Sequence, residues 1–288
     1  MSNKLTDPSY IRPLLARHGF SFQKSLGQNF LIDDAVPAAI AEAAGITEDT
    51  CVLEIGPGIG TLTIELLRRA KKVVAVELDK RLAPLLKETL GEFANFELVL
   101  GDALKTDLAA LAEEKFGGAP FLICANLPYY ITTPMIMKLL EEQTGAKSIT
   151  VMIQREVAAR FDAEPGNSDY GAVTVAADYY AKTRRHFDVP PEAFLPAPKV
   201  TSTVISFFPT LPPVCPRDPA LMRRVIKAAF AQRRKTLLNA LSHAFPNLGK
   251  DTLRGVLAGC ELKENVRGEE LSLAKFSEIS DKIGEIEK

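Results

Sequence analysis

Four consecutive residues, Asn126, Leu127, Pro128 and Tyr129, are of the types needed to present a conjugated amine for attack. The amino group on a nucleobase is a poor nucleophile because its lone pair is delocalised into the ring. Two acceptors aimed at its hydrogens favour a pyramidal nitrogen with a localised pair. The Asn126 side-chain oxygen and the Leu127 carbonyl can be those acceptors. Pro128 stiffens the aim of that carbonyl by fixing φ, and Tyr129 offers a face for an extruded base. The plainer reading of the same residues is a proline turn after a strand, with Tyr129 and Tyr130 in the core.

Three carboxylates precede this tetrapeptide. Glu54 stands just ahead of Gly56, Gly58 and Gly60, Glu77 ends the next apolar run, and Asp102 with Ala103 follows a third. Glycines let the chain turn tightly and bring its backbone close to a ligand. The spacing is G-x-G-x-G, not the G-x-G-x-x-G of pyrophosphate binders. An acid beside the turn suits a cofactor with a cationic amino-acid end. Glu77 can accept both hydroxyls of a ribose, and Asp102 can accept from the exocyclic amine of an adenine. Singly, each acid reads as a cap for the next helix. Three at the ends of successive strands mark the crevice where α/β proteins bind ligands.

Elements able to position these residues are legible in the hydrophobic pattern. Short apolar runs at 51–55, 72–76, 96–100, 121–125 and 148–154 read as strands. Between them, 35–44, 62–69, 81–90 and 134–141 read as helices, the first capped by Asp33 or Asp34. That alternation predicts an α/β domain with a parallel sheet covered on both faces. Runs at 172–179 and 200–208 are expected to add edge strands. Pro209, Pro212, Pro213, Pro216 and Pro219 then break the chain, which predicts a domain boundary. Beyond them 221–231, 235–244, 251–258 and 273–286 read as helices of a smaller all-α C-terminal domain. Residues 1–30 read as a polar, mildly basic lead-in carrying Lys4, Arg12, Arg17 and Lys24.

The chain has 288 residues, 47% hydrophobic and 25% charged, with a net charge of −1. Such a balance supports a buried core, and leaves any nucleic-acid surface to local clustering of charge. The cysteines (Cys51, Cys124, Cys215 and Cys260) form no C-x-x-C pair, and the histidines are only His18, His186 and His243. Neither a disulfide framework nor a metal site is expected. No apolar h-region opens the chain and no run would span a bilayer, so the expectation is a cytoplasmic protein without a membrane partner.

The acids and glycines together resemble the class I S-adenosylmethionine-dependent methyltransferases, which implies a Rossmann-like sheet flanked by helices and S-adenosyl-L-methionine as cofactor. In that family the glycine loop holds the methionyl part, the second-strand acid the ribose and the third-strand acid the adenine. The Asn126–Tyr129 tetrapeptide looks like the motif of methyltransferases acting on exocyclic amines.

Four longer segments narrow the resemblance: 25–33 (SLGQNFLID), 152–160 (MIQREVAAR), Tyr170-Gly171, and 189–202 (VPPEAFLPAPKVTS). With the motifs above they resemble the ribosomal RNA adenine dimethyltransferases, in particular the bacterial small-subunit branch. The similarity runs from about Tyr10 to the C-terminal helices. It implies N6,N6-dimethylation of two adjacent adenosines in a hairpin near the 3′ end of 16S rRNA, within the small subunit or its precursor, and a role in subunit biogenesis. It further implies that Gln28, Asn29 and Leu31 close over the cofactor and that Phe194 faces the target adenine opposite Tyr129. A monomer is the expected acting species.

Arg223, Lys227, Arg233, Arg234 and Lys235, with Arg224, interleave with apolar residues at helical spacing. They form a stripe that can contact RNA phosphates or simply a solvated helix face. Arg155 and Arg160 are further cationic candidates near the substrate, and the acid-rich tail is expected to avoid RNA. Three rival readings share parts of this pattern. A large-subunit rRNA methyltransferase of the resistance type shares the amine chemistry, an assembly factor would keep the fold without catalysis, and a DNA adenine methyltransferase would need a target-recognition domain not found here.

Overall fold

The computed structural model describes residues 4–21 and 27–287. Lys24, Ser25 and Leu26, named above, lie outside the described residues. By contact density the chain divides into two units. One comprises Met1–Ala158 with Thr183–Pro209, the other Ala159–Lys182 with Thr210–Lys288.

The first unit is built on a sheet that, among the described residues, has seven strands. Strands β2 (Cys51–Ile55), β3 (Lys72–Glu77), β4 (Phe96–Leu100), β5 (Phe121–Asn126) and β6 (Ile149–Gln154) are mutually parallel. Strand β9 (Ser202–Pro209) runs antiparallel to β6, and β7 (Ala181–Val189) lies at the edge beside it. The spatial order is β4-β3-β2-β5-β6-β9-β7. Every residue of β2 is buried, as a strand covered on both faces requires. The chain leaves β2 for β3 on one side and returns to β5 on the other. The crevice beyond the carboxyl ends of β2 and β5 is therefore the switch point at which open α/β sheets bind ligands.

Helices α2 (Ala35–Ala43), α3 (Thr61–Leu67), α4 (Ala83–Leu90), α5 (Leu108–Phe116) and α6 (Thr132–Glu141) alternate with these strands. Ile40 of α2, Leu66 of α3 and Leu85 of α4 share one core with Val52 and Val73 of the sheet. Asp33, not Asp34, caps α2, its Oδ1 accepting from the Ala35 N–H at 3.0 Å. The expected lead-in contains a helix, α1 (Pro8–Arg17). Asp7 caps it at the Ser9 N–H (2.8 Å), and Ile11 and Leu14 are buried in the same core. A second, two-stranded sheet pairs β1 (Phe30–Leu31) with β8 (Phe194–Leu195), placing Leu31 opposite Phe194.

The second unit is helical: α8 (Ala172–Tyr180), α9 (Pro219–Ala231), α10 (Leu237–Ala244), α11 (Lys250–Gly259) and α12 (Leu273–Ile286). Val175, Val225, Leu241, Leu257 and Phe276 meet in its core. Two expectations need correction. The run 172–179 is not a strand but α8, because its buried residues Thr174, Val175 and Ala177 fall on one helical face. Its start is fixed by the Gly171 N–H donating to Thr174 Oγ1 (3.0 Å), and packing overrides the β-branched composition. The single boundary at the proline-rich stretch is likewise incomplete. The chain enters the helical unit once before it, at 159–182, where the Tyr170 hydroxyl donates to the Leu271 carbonyl (2.7 Å).

Candidate active site

A cleft at the carboxyl ends of β2, β3 and β5 is lined by Glu54, Gly58, Glu77, Asp102, Asn126 and Tyr130, among others. All lie in the first unit. Glu54 closes its floor at 1% exposure. Neither Glu54 Oε2 nor the nearby Thr63 Oγ1 meets hydrogen-bond geometry with any partner among the described residues. Burial raises the Glu54 carboxyl to about 8, with the Thr63 hydroxyl opposing the rise and the charge of Glu77 adding to it. An orphaned buried carboxyl of this kind is costly unless a cation or donor meets it.

Glu77 is pinned differently. Its Oε2 accepts from the Gly58 N–H (3.3 Å) and its Oε1 from the Asp79 N–H (2.7 Å). Burial nonetheless holds its pKa above the ordinary carboxylate range. Gly58 has φ +59, and a Cβ there would sit 3.2 Å from the Phe30 ring. The loop therefore needs glycine both for its left-handed turn and for its closeness to β1. Asp102 Oδ1 accepts from the Leu104 N–H (3.0 Å), and its Oδ2 is 3.5 Å from Lys105 Nζ at the surface. Ala103 is buried against the cleft.

Across this crevice stands the tetrapeptide. The amide nitrogen of Asn126 donates to the Asn29 carbonyl at 3.5 Å, which leaves Oδ1 as the acceptor facing no other donor among the described residues. The Leu127 N–H donates to the Met152 carbonyl (3.2 Å), and the Leu127 carbonyl accepts no hydrogen bond there. Two acceptors with capacity to spare thus follow one another at the end of β5. Tyr129 is half-buried, its hydroxyl 2.9 Å from Ser202 Oγ on β9, and burial raises its pKa. Phe194 lines the same cleft from β8, with only 3% of its surface exposed.

Gln28, Asn29 and Leu31 also line the cleft, although they lie almost a hundred residues from Asn126 in sequence. Tyr130 and Asp79 were not singled out by sequence reading. Tyr130 is 51% exposed, lies over the cleft and feels the charges of Asp102 and Glu77. The Tyr-Tyr doublet was the available signal, since a second ring beside a base-stacking one is otherwise wasted at a surface. Among the described residues no cluster of His, Cys, Asp or Glu could hold a metal ion. No helix there is long and apolar enough to cross a membrane.

Comparison with known proteins settles the family. Residues 19–279 match the family described as ribosomal RNA adenine dimethylase. The chain belongs to that family. It is 46% identical over 282 residues to ribosomal RNA small subunit methyltransferase A of Alkaliphilus oremlandii, covering 98% of each chain. The enzyme of that name from Geobacillus thermodenitrificans is 45% identical over 287 residues, with 98% of each covered. Among solved structures, a dimethyladenosine transferase from Plasmodium falciparum superposes with a TM-score of 0.69 at 27% identity, over 86% of this chain and 95% of that one. The 23S rRNA methyltransferase ErmE gives 0.66 at 25%, over 89% and 100%.

In this dimethylase the cationic residues of the helical unit divide into two groups. Arg223, Lys227, Arg234 and Lys235 are exposed, with no ion pair among the described residues. Arg233 is instead committed within its own unit: it donates to the Ser168 carbonyl (2.7 Å) and the Tyr170 carbonyl and lies 3.8 Å from Glu269. Arg224 covers the Phe245 ring at 4.0 Å. Arg160 is exposed on α7 (Arg155–Phe161), and Arg155 stands 3.9 Å from Asp188 in the first unit.

Proposed function

We propose that the chain uses S-adenosyl-L-methionine to convert two adjacent adenosines near the 3′ end of 16S rRNA to N6,N6-dimethyladenosine. The observation that carries this reading is the pair of uncommitted acceptors, Asn126 Oδ1 and the Leu127 carbonyl, at a strand end facing the Glu54–Glu77 cleft.

The residues present fit the cofactor. Glu54 offers a buried, partnerless carboxyl oxygen to a cationic group. Glu77 is held by two backbone N–H groups with its oxygens toward the cleft, suited to a ribose diol. Asp102 is partly exposed at the next strand end, suited to an adenine amine. When bound, the cofactor supplies a methyl on a sulfonium sulfur, an electrophile that needs no metal. Asn126 and Leu127 accept from the N6 hydrogens, which localises the lone pair and orients it. Tyr129 and Phe194 hold the base plane from its two faces. The nitrogen gains the carbon bond and then loses a proton to water, because the methylated ammonium is strongly acidic. The chain therefore needs no general base, and catalysis rests on position and electrostatics. The second transfer repeats the geometry with one acceptor relieved of its hydrogen.

The 42–46% identity to enzymes named for the small subunit, against 25% to ErmE, supports 16S over 23S rRNA as the substrate. Such a substrate places the protein in the cytoplasm and gives it a part in small-subunit biogenesis. In the helical unit, Arg223, Lys227, Arg234 and Lys235 supply phosphate contacts, with Arg155 and Arg160 as further cations. The test is transfer of labelled methyl to unmethylated small subunits by wild type and by Asn126→Ala. Label in dimethyladenosine of 16S rRNA with wild type alone is expected. Label in 23S rRNA instead would overturn the substrate, and equal label from the variant would overturn the role of Asn126.

A further inference from the structure

Glu77 and Gln28 reach the cleft from different elements, and one residue touches both. The Asp79 N–H donates to Glu77 Oε1 (2.7 Å), while Asp79 Oδ2 accepts from Gln28 Nε2 (3.0 Å). Asp79 is itself gripped by Arg81, whose Nε donates to Oδ1 (2.8 Å) and whose NH2 donates to Oδ2 (2.6 Å). This is the planar fork-to-carboxylate geometry that fixes direction as well as charge. The Asp79 side chain is only 6% exposed, so the pair is shielded from solvent. The Arg81 guanidinium then lies 4.9 Å over the Phe20 ring, a cation–π contact. Phe20 in turn packs on Phe30 (centroids 6.0 Å apart), the ring that abuts Gly58. Residues 20 and 28 are thereby tied to one ion pair just past the end of β3.

None of these contacts is needed to cap a helix of any length. Only three residues, Lys80–Leu82, form the short 3-10 turn that Asp79 opens. Two of the side chains secured through Asp79 and Arg81, those of Glu77 and Gln28, line the cleft. We infer that Asp79 and Arg81 are positioning residues for the cofactor: they hold Gln28 over the cleft and Glu77 at its rim in one register. The inference rests on the cofactor reading given above. Asp79 touches neither reacting atom. Its effect is on affinity, and on KM more than on kcat.

Calorimetric titration of S-adenosylhomocysteine into the full-length protein tests this without turnover. Wild type should bind. Asp79→Asn and Arg81→Ala should each bind roughly tenfold more weakly, the size of a charge-assisted hydrogen bond. Arg81→Lys, which keeps the charge and loses the fork, should fall between and retain the wild-type melting transition. In a Gln28→Ala background the Arg81→Lys effect should shrink below about twofold, because coupled residues are not additive. Full additivity there would overturn positioning through Gln28, since a merely structural role adds. Wild-type affinity in both Asp79→Asn and Arg81→Ala would overturn the inference while leaving the cofactor reading intact. Failure of wild type to bind would overturn both.

Discussion

The Tyr129 hydroxyl and Ser202 Oγ are 2.9 Å apart, joining the tetrapeptide at the end of β5 to the first residue of β9. Ser202 is 1% exposed and does not line the cleft, so its bond to Tyr129 sets the tilt of a ring that does. Ser202→Ala should lower kcat/KM for subunit methylation by roughly tenfold, from a net hydrogen bond of about 1 kcal/mol plus the loosened ring. S-adenosylhomocysteine affinity should hardly move. Single-turnover kinetics on small subunits beside calorimetry would check it, and an equal loss in both would place Ser202 in cofactor binding instead.

Glu54 predicts a pH dependence of the free protein. Its folded pKa of about 8 lies above the ordinary value of 4.5, with burial the leading cause. The native state therefore binds more protons than the unfolded one between those values. Stability from the neutral acid is complete below about pH 4.5 and is lost as pH climbs through 8, on the order of a few kcal/mol in total. Melting temperature should fall between pH 5 and pH 8 in wild type and fall less steeply in Glu54→Gln. Parallel curves would show that Glu54 does not titrate in this range.

Gly58→Ala combines two costs: a left-handed φ of +59 and a Cβ at 3.2 Å from the Phe30 ring. The first costs about 1 kcal/mol, and the second moves β1 from the cleft. Thermal denaturation should report a loss of about 1–2 kcal/mol, with cofactor affinity lowered by more than that stability change explains. Unaltered affinity would mean that β1 tolerates the shift.

The cationic residues of the helical unit should separate by function. Charge removal at Arg223, Lys227, Arg234 and Lys235 should weaken RNA binding and lower the slope of log affinity against log salt, by up to about one for each phosphate no longer neutralised. Arg233→Ala should instead destabilise the unit by roughly 1–3 kcal/mol, because it abandons the Ser168 and Tyr170 carbonyls. Filter binding over a salt series, beside thermal melts, would distinguish the two groups. A salt slope untouched by the first four substitutions would remove them from the interface.

The parallel strands were legible because they are short, nearly continuous apolar runs followed by acids or glycines. The tetrapeptide was legible because its residue types match a specific chemical need. β7 escaped notice because an edge strand carries Lys182, Arg184 and Arg185, which hide its period. α1 was obscured by the internal Pro13 and by Arg12 and Arg17 on its exposed side. α8 was misread because Val173, Thr174 and Val175 favour a strand locally, and only the helices packed against it decide otherwise. Glu54 as an orphaned carboxyl and Asp79 as a shared partner could not be seen at all, since both depend on what surrounds them in space. Phe194 was placed by family resemblance; its register opposite Leu31 came only with the fold.

That register has a consequence for how the protein is made. Leu31 leaves the ribosome more than 160 residues before Phe194, its partner across the two-stranded sheet. At ordinary elongation rates this is a wait of roughly ten to thirty seconds. Throughout that interval the nascent chain can assemble β2 to β6 and yet lacks one wall of the cleft. A growing polypeptide of this kind cannot present a finished methylation site until the unit is nearly complete. It is thereby kept from acting on the RNA of the machine that is building it.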